Sequence, residues 1–146
     1  MSVRRTLACN EIYNRIKTNR VAIGLKSFKK VATTQAKIEE APICFMSYGE
    51  DSIIKRSSRS TSPFGCTRSL EIILEFVCHE DIDVEEICAN IRKFVLSDPH
   101  PIYSESGVVD TTTYMVEDRT DGPKGYGLPE ITAMILVITL VYVDEP

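Results

Sequence analysis

The chain has 146 residues, of which 43% are hydrophobic and 26% charged, and its formal net charge is −4. These values are those of one ordinary globular domain, and they exclude a fibrous repeat or disorder throughout. The charge is unevenly distributed, because residues 1–38 carry nine basic side chains and one acidic one, or +8, while residues 39–146 carry −12. Such an asymmetry is informative about binding partners rather than about the fold.

An amphipathic helix is predicted over residues 4–18, because apolar side chains recur there every four residues and charged side chains lie outside that stripe. The stripe consists of Ala8, Ile12 and Ile16. After the helix, Val21–Ile23 is interpreted as extended chain, and residues 28–33 suit a short strand.

A strand is predicted at residues 43–48, where a run of β-forming residues follows Pro42. The serine- and arginine-rich stretch beyond it has almost nothing to bury, so residues 50–66 are expected to form a mobile loop or a long hairpin tip. Strict alternation over residues 69–78 then predicts the clearest strand of the chain. One face of that strand is predicted to carry Leu70, Ile72, Leu74, Phe76 and Cys78.

A second helix is predicted from Asp83 to Asp98, with Asp83 as the N-cap and Glu86 in the position of a capping box. Residues 111–116 are predicted to form a strand, and the Gly-, Asp- and Pro-rich residues 117–128 a second mobile turn. The last strand is predicted over residues 130–143 and is apolar on both of its faces.

Elements in this order predict an α+β fold, in which an antiparallel or mixed β-sheet is packed by two α-helices within a single domain spanning residues 1–146. Two helices cover one face of such a sheet, so the other face needs a second cover. A neighbouring copy of the chain is the expected cover, and a curled sheet or the long loops are the alternative. The candidate subunit interface on the last strand consists of Met134, Leu136, Ile138, Leu140 and Tyr142.

The sequence predicts no catalytic, cofactor-binding or metal site, and hence no enzyme. The five cysteines are widely spaced and odd in number, which suits reduced thiols in the cytoplasm. Cys78 and His79 are adjacent on a strand and so point to opposite faces, and the glycines of residues 122–127 precede a strand rather than a phosphate-binding helix. No apolar run reaches the roughly 20 residues of a membrane-spanning helix, so no membrane partner is expected.

Basic side chains are the remaining candidate site. Three interpretations stay open for them: a solvated surface, docking on an acidic protein surface, and non-specific contact with the phosphate backbone of a nucleic acid such as DNA. The candidate partner-docking or luminal residues are Lys26, Lys29, Lys30, Lys55, Arg56 and Arg59.

Four features together resemble the tail-terminator family of long-tailed bacteriophages, the lambda-type minor tail protein U and its relatives. They are the helix at about Arg4–Lys17, the Pro-led strand Ala41–Glu50, the strand-into-helix unit Leu70–Asp98, and a closing strand–turn–strand that carries Tyr114 and residues 118–122. The similarity covers about residues 4–143 as an order of elements, and residues 18–40 and 50–66 have no counterpart in it.

This resemblance implies an α+β subunit of a homohexameric ring in the virion neck. Such a ring sits on the last ring of the tail tube, stops its polymerisation and provides the surface that joins the head. The implied partners are further copies of the chain, the tail tube protein and a head-completion or connector protein. Two alternatives stay open: another connector or head-completion ring protein, and a small ferredoxin-like module that binds a ligand or RNA.

Overall fold

The structure is a computed structural model that describes residues 3–30, 41–56, 66–79, 81–104, 106–125 and 131–144, apart from the side chains of residues 55, 56, 81 and 82. In chain order, its elements are α1 (Val3–Thr18), α2 (Arg20–Ile23), β1 (Ser27–Lys30), β2 (Ile43–Arg56), β3 (Cys66–Cys78), α3 (Asp81–Ile91), β4 (Tyr114–Gly125) and β5 (Thr132–Asp144). Residues Arg92–Leu96 continue α3 as a π-helical turn. The predicted α+β class is confirmed.

The strands form one open, mixed, five-stranded sheet in the order β1-β2-β3-β5-β4. β1 runs parallel to β2, and the pairs β2–β3, β3–β5 and β5–β4 are antiparallel. The two most apolar strands, β3 and β5, therefore lie side by side within the sheet, with Cys66 level with Asp144 and Cys78 level with Thr132. β1 and β4 form the two edges.

The helices cover one face of the sheet, called the helix-covered face below, and this layer forms the main core. α1 contributes the predicted stripe, and the even-numbered residues of β3 and β5 face it. Burying one large aliphatic side chain contributes about 1.5–3 kcal/mol, so this layer is the main source of stability. Its largest fully buried members include Ile12, Ile16, Leu70, Ile72, Leu74, Phe76 and Ile91.

Arg15 joins the two long helices. Its guanidinium donates hydrogen bonds to the carbonyl oxygens of Val95, Asp98 and His100, at 2.8, 2.7 and 3.3 Å. It also forms ion pairs with the carboxylates of Glu11, at 3.1 Å, and Asp98, at 3.4 Å. The last carbonyls of a helix have no partner within it, so Arg15 supplies donors that the end of α3 lacks.

The bounds of the two predicted loops were wrong in part, because strands extend into both, and β2 and β3 form the antiparallel pair that a long hairpin requires. β2 continues through residues 50–56 and β4 through residues 117–125, whereas residues 57–65 and 126–130 lie outside the described residues. Each of these strands contains two register shifts. A β-bulge inserts a residue without ending the hydrogen-bonded ladder. The polar residues therefore continue each strand through backbone pairing, although their side chains bury little apolar surface.

Two helix boundaries also differ from the prediction. Val21–Ile23 was expected to be extended but belongs to the short helix α2, which ends at Gly24 with a φ of 102°. That left-handed conformation is the usual end of a helix and favours glycine. α3 begins at Asp81, two residues before the predicted N-cap at Asp83.

Candidate assembly surfaces

The five residues predicted as a subunit interface belong to the core of the chain itself. Met134 and Tyr142 are 4% and 2% exposed, and the other three are fully buried on the helix-covered face. The predicted interface thus lies on the face of β5 that the chain's own helices cover. A side chain already buried against the helices of its own chain leaves no surface for a neighbour.

The opposite face, called the second face below, carries the odd-numbered residues of β3 and β5. Glu71 accepts a hydrogen bond from the backbone amide of Glu50 at 3.3 Å and pairs with Arg119 of β4 at 3.4 Å. Since β5 lies between β3 and β4, the Glu71–Arg119 pair crosses over the apolar residues of β5. A smaller apolar cluster occupies one end of this face and consists of Ile43, Phe45, Val77, Ile131 and Ala133.

The edge strand β4 is exposed along almost its whole length, with Met115 buried. Its charges form exposed ion pairs, between Asp118 and Arg119 at 2.6 Å and between Lys124 and Asp121 at 3.1 Å. Exposed pairs of this kind contribute about 0–1 kcal/mol, so they give way readily to a partner. β4 is thus an exposed edge whose charges pair with each other, with Glu71 and with Arg92.

The predicted basic residues occupy two separate places. Lys29 and Lys30 lie on β1, at the sheet edge opposite β4. Lys26 immediately precedes this strand, and all three lysines are exposed. The residues at 55 and 56 lie at the other end of β2, about 30 Å along the strand at ~3.3 Å per residue. Arg59 lies outside the described residues.

A charge cluster that the sequence did not predict ties α1 to the sheet. Asp51 accepts hydrogen bonds from Arg5 and from the Tyr142 hydroxyl, both at 2.6 Å. Its other carboxylate oxygen lies 3.7 Å from Arg68, which also pairs with Asp144 at 3.1 Å. Burial and the hydrogen bond to Asp51 raise the pKa of Tyr142. The cluster therefore links the start of α1 with β2, β3 and β5.

A shallow groove of about 390 Å³ runs between α1 and the neighbouring strands. Its two cations are already engaged, since Arg5 pairs with Asp51 and the Lys30 ammonium lies 5.4 Å from the ring centre of Tyr13. Burial raises the pKa of the Tyr48 hydroxyl in this groove to about 12. The lining residues are Arg5, Thr6, Cys9, Asn10, Lys30 and Tyr48.

Within the described ranges, no group of three or more His, Cys, Asp or Glu side chains is placed to hold a metal ion. Cys78 is fully buried and His79 exposed, which separates the one adjacent Cys–His pair of the sequence. In the same ranges, no helix combines the length and the apolar character needed to cross a membrane.

All five thiols are expected to be unreactive in the folded protein. Each cysteine is buried, and burial raises the pKa of the thiols of Cys9, Cys44, Cys78 and Cys88, which disfavours the reactive thiolate. Titration with a disulfide reagent at about pH 8 should therefore detect less than one thiol per native chain and five in denaturant. Rapid reaction of two or more native thiols would contradict the packing around them.

Comparison with known proteins gives a structural likeness and no sequence match. No protein-family model matches the chain, and no curated protein matches it. Among solved structures, one matching chain belongs to a structure described as "Virion of native gene transfer agent (GTA) particle". The alignment has a TM-score of 0.49 and 10% sequence identity, and it covers 91% of this chain and 91% of that chain.

Proposed function

We propose that the chain is a structural protein of a phage-like virion, a tail terminator that forms a ring on the end of the tail tube. The observation that carries the proposal is the order of elements through which the sequence resembles the tail-terminator family. The chain has these elements in the same order: α1, the Pro-led strand β2, β3 running into α3, and the closing pair β4–β5. Its strands all belong to one sheet.

The geometry suits such a part, because an open sheet has two unlike edges and two unlike ends. A ring built by rotation uses two different surfaces on each subunit, one for each neighbour. The sheet offers β1 at one edge and β4 at the other. Its two ends then form the two rims of the ring, one for the tail tube and one for the head.

The two ends of the sheet are built from different strand termini. The backbone of β2 leads to Lys55 and Arg56 at one end of the sheet, whereas the other end is formed by the first residues of β1 and β5. Unlike rims allow a terminator to distinguish the tube from the head by charge and shape. The residues at 55 and 56 remain candidates for docking on one of these partners.

Addition of the purified protein to polymerising tail tubes tests the proposal. A terminator should stop elongation, and capping should saturate at about one ring of subunits per tube end. The measurement is tube length by electron microscopy against protein concentration, with light scattering to give the number of subunits in the ring. Unchanged tube growth with no bound protein would contradict the terminator function, and binding to the head alone would favour another connector protein.

A further inference from the structure

The two edges of the sheet are suited to each other. β1 ends a strongly basic segment, since residues 12–30 contain six basic side chains, two of them in β1, and no acidic one. β4 carries three exposed carboxylates, those of Glu117, Asp118 and Asp121, and two exposed cations, Arg119 and Lys124. Asp118 and Asp121 pair with these cations on the surface, and such exposed pairs exchange readily for a partner's charge. Within the described residues, no further strand pairs with the outer side of either β1 or β4.

Strand direction makes the two edges compatible with rotation. β4 runs antiparallel to β1 and β2, because three antiparallel pairings separate it from β2. A neighbour generated by rotation about an axis along the strands keeps its strand directions. Its β1 edge then meets β4 of the first copy in antiparallel orientation, which is the common way for strands to adjoin.

The register places opposite charges at the same level of the two edges. Lys29 is level with Phe45, Phe45 with Glu75, Glu75 with Ile135, and Ile135 with Asp121. Residues in one such row point to one face of a sheet, here the second face. Rotation about an axis along the strands leaves this level unchanged, so Lys29 of one copy faces Asp121 of the next.

We propose that this contact, the β1 edge of one copy against the β4 edge of the next with Lys29 opposite Asp121, joins the subunits of the ring. The inference rests on the proposed function, which requires a ring. The occupant of each edge is a second copy of this chain, and the contact is carried mainly by side chains. Pro123 has no amide hydrogen to donate and follows Asp121 closely, so it interrupts a long hydrogen-bonded ladder at this point.

Cross-linking of two single-cysteine variants tests the contact. A mixture of Lys29→Cys and Asp121→Cys, treated with a short bismaleimide under conditions of assembly, should give a covalent dimer, and either variant alone should not. The double variant should give a ladder of products that ends at the number of subunits in the ring. The native cysteines are buried and do not compete for the reagent.

The matched control places the cysteine at another exposed lysine, Lys93, instead of Lys29. Lys93 lies in the helical layer rather than at a sheet edge. Lys93→Cys mixed with Asp121→Cys should give no dimer. In addition, the reversal Asp121→Lys should weaken self-association about fivefold per contact, and the exchanged pair Lys29→Asp with Asp121→Lys should restore it.

The outcomes separate this contact from the proposed function. Rings that cap tubes but give no Lys29–Asp121 cross-link would overturn the contact and leave the terminator function standing. Dimers formed by Asp121→Cys alone would indicate a two-fold pairing of β4 with β4 and would also overturn it. A protein that neither assembles nor caps tubes would overturn both.

Discussion

Replacement of Arg15 by alanine is expected to lower the free energy of unfolding by about 3 kcal/mol, which corresponds to a fall in melting temperature of roughly 10 °C. The side chain is 11% exposed and donates to the backbone oxygens of Val95, Asp98 and His100. Its removal leaves these acceptors without the donor, and an unmade bond of this kind costs more than the bond contributes when formed.

Urea denaturation followed by circular dichroism measures the effect of the Arg15 substitution. Lys17→Ala is the matched control, because Lys17 lies on the same helix but is exposed, and it should change stability by less than about 0.5 kcal/mol. Arg15→Lys should be intermediate, since an ammonium cannot present the planar fork of donors. A loss below about 1 kcal/mol in Arg15→Ala would show that the contact between α1 and the end of α3 is dispensable.

Substitution of Asp51 by alanine should cost about 2 kcal/mol. Its carboxylate is 17% exposed, accepts hydrogen bonds from Arg5 and Tyr142 and lies near Arg68. Without it, two guanidinium groups lie close together with less negative charge between them, and the Tyr142 hydroxyl loses its acceptor. Thermal and urea unfolding give the size of the loss.

A double-mutant cycle isolates the hydrogen bond between Asp51 and Tyr142. Tyr142→Phe alone should cost about 1 kcal/mol, because it removes the hydroxyl and keeps the buried ring. The double variant should lose less than the sum of the two single losses, since the two groups share one bond. Glu50→Ala, at the exposed neighbouring position, is the control. Strict additivity would mean that the two side chains do not interact.

The periodicity of the sequence was sufficient to predict α1, β3 and β5, because each contains a long, strongly patterned apolar stripe. It was insufficient for the faces of β5, where both alternating sets are apolar and nothing local states which set meets the helices. That choice is made by the register with β3, in which Leu74 is level with Leu136 and Ile72 with Ile138. The sequence of a strand that is apolar on both faces does not specify this register.

The polar halves of β2 and β4 were missed for a different reason. Strand prediction depends on burial, and residues 50–54 and 117–125 are half-buried or exposed. Their backbones pair with β3 and β5, respectively, through bulges that break the alternation. Asp51 and Arg15 were missed because both act through partners distant in the sequence, such as Tyr142 and Val95. No local pattern marks such residues.

The position of β5 also has a consequence for the order of events during synthesis. β5 is the last of the five strands to be made, yet it lies between β3 and β4 and pairs with β3 residues at least 54 positions earlier, as Cys78 with Thr132. Until it leaves the ribosome, the apolar side of β3 has no strand beside it on that edge. Non-local pairing of this kind slows folding and leaves aggregation-prone intermediates exposed. The nascent chain is therefore expected to depend on chaperones until β5 emerges.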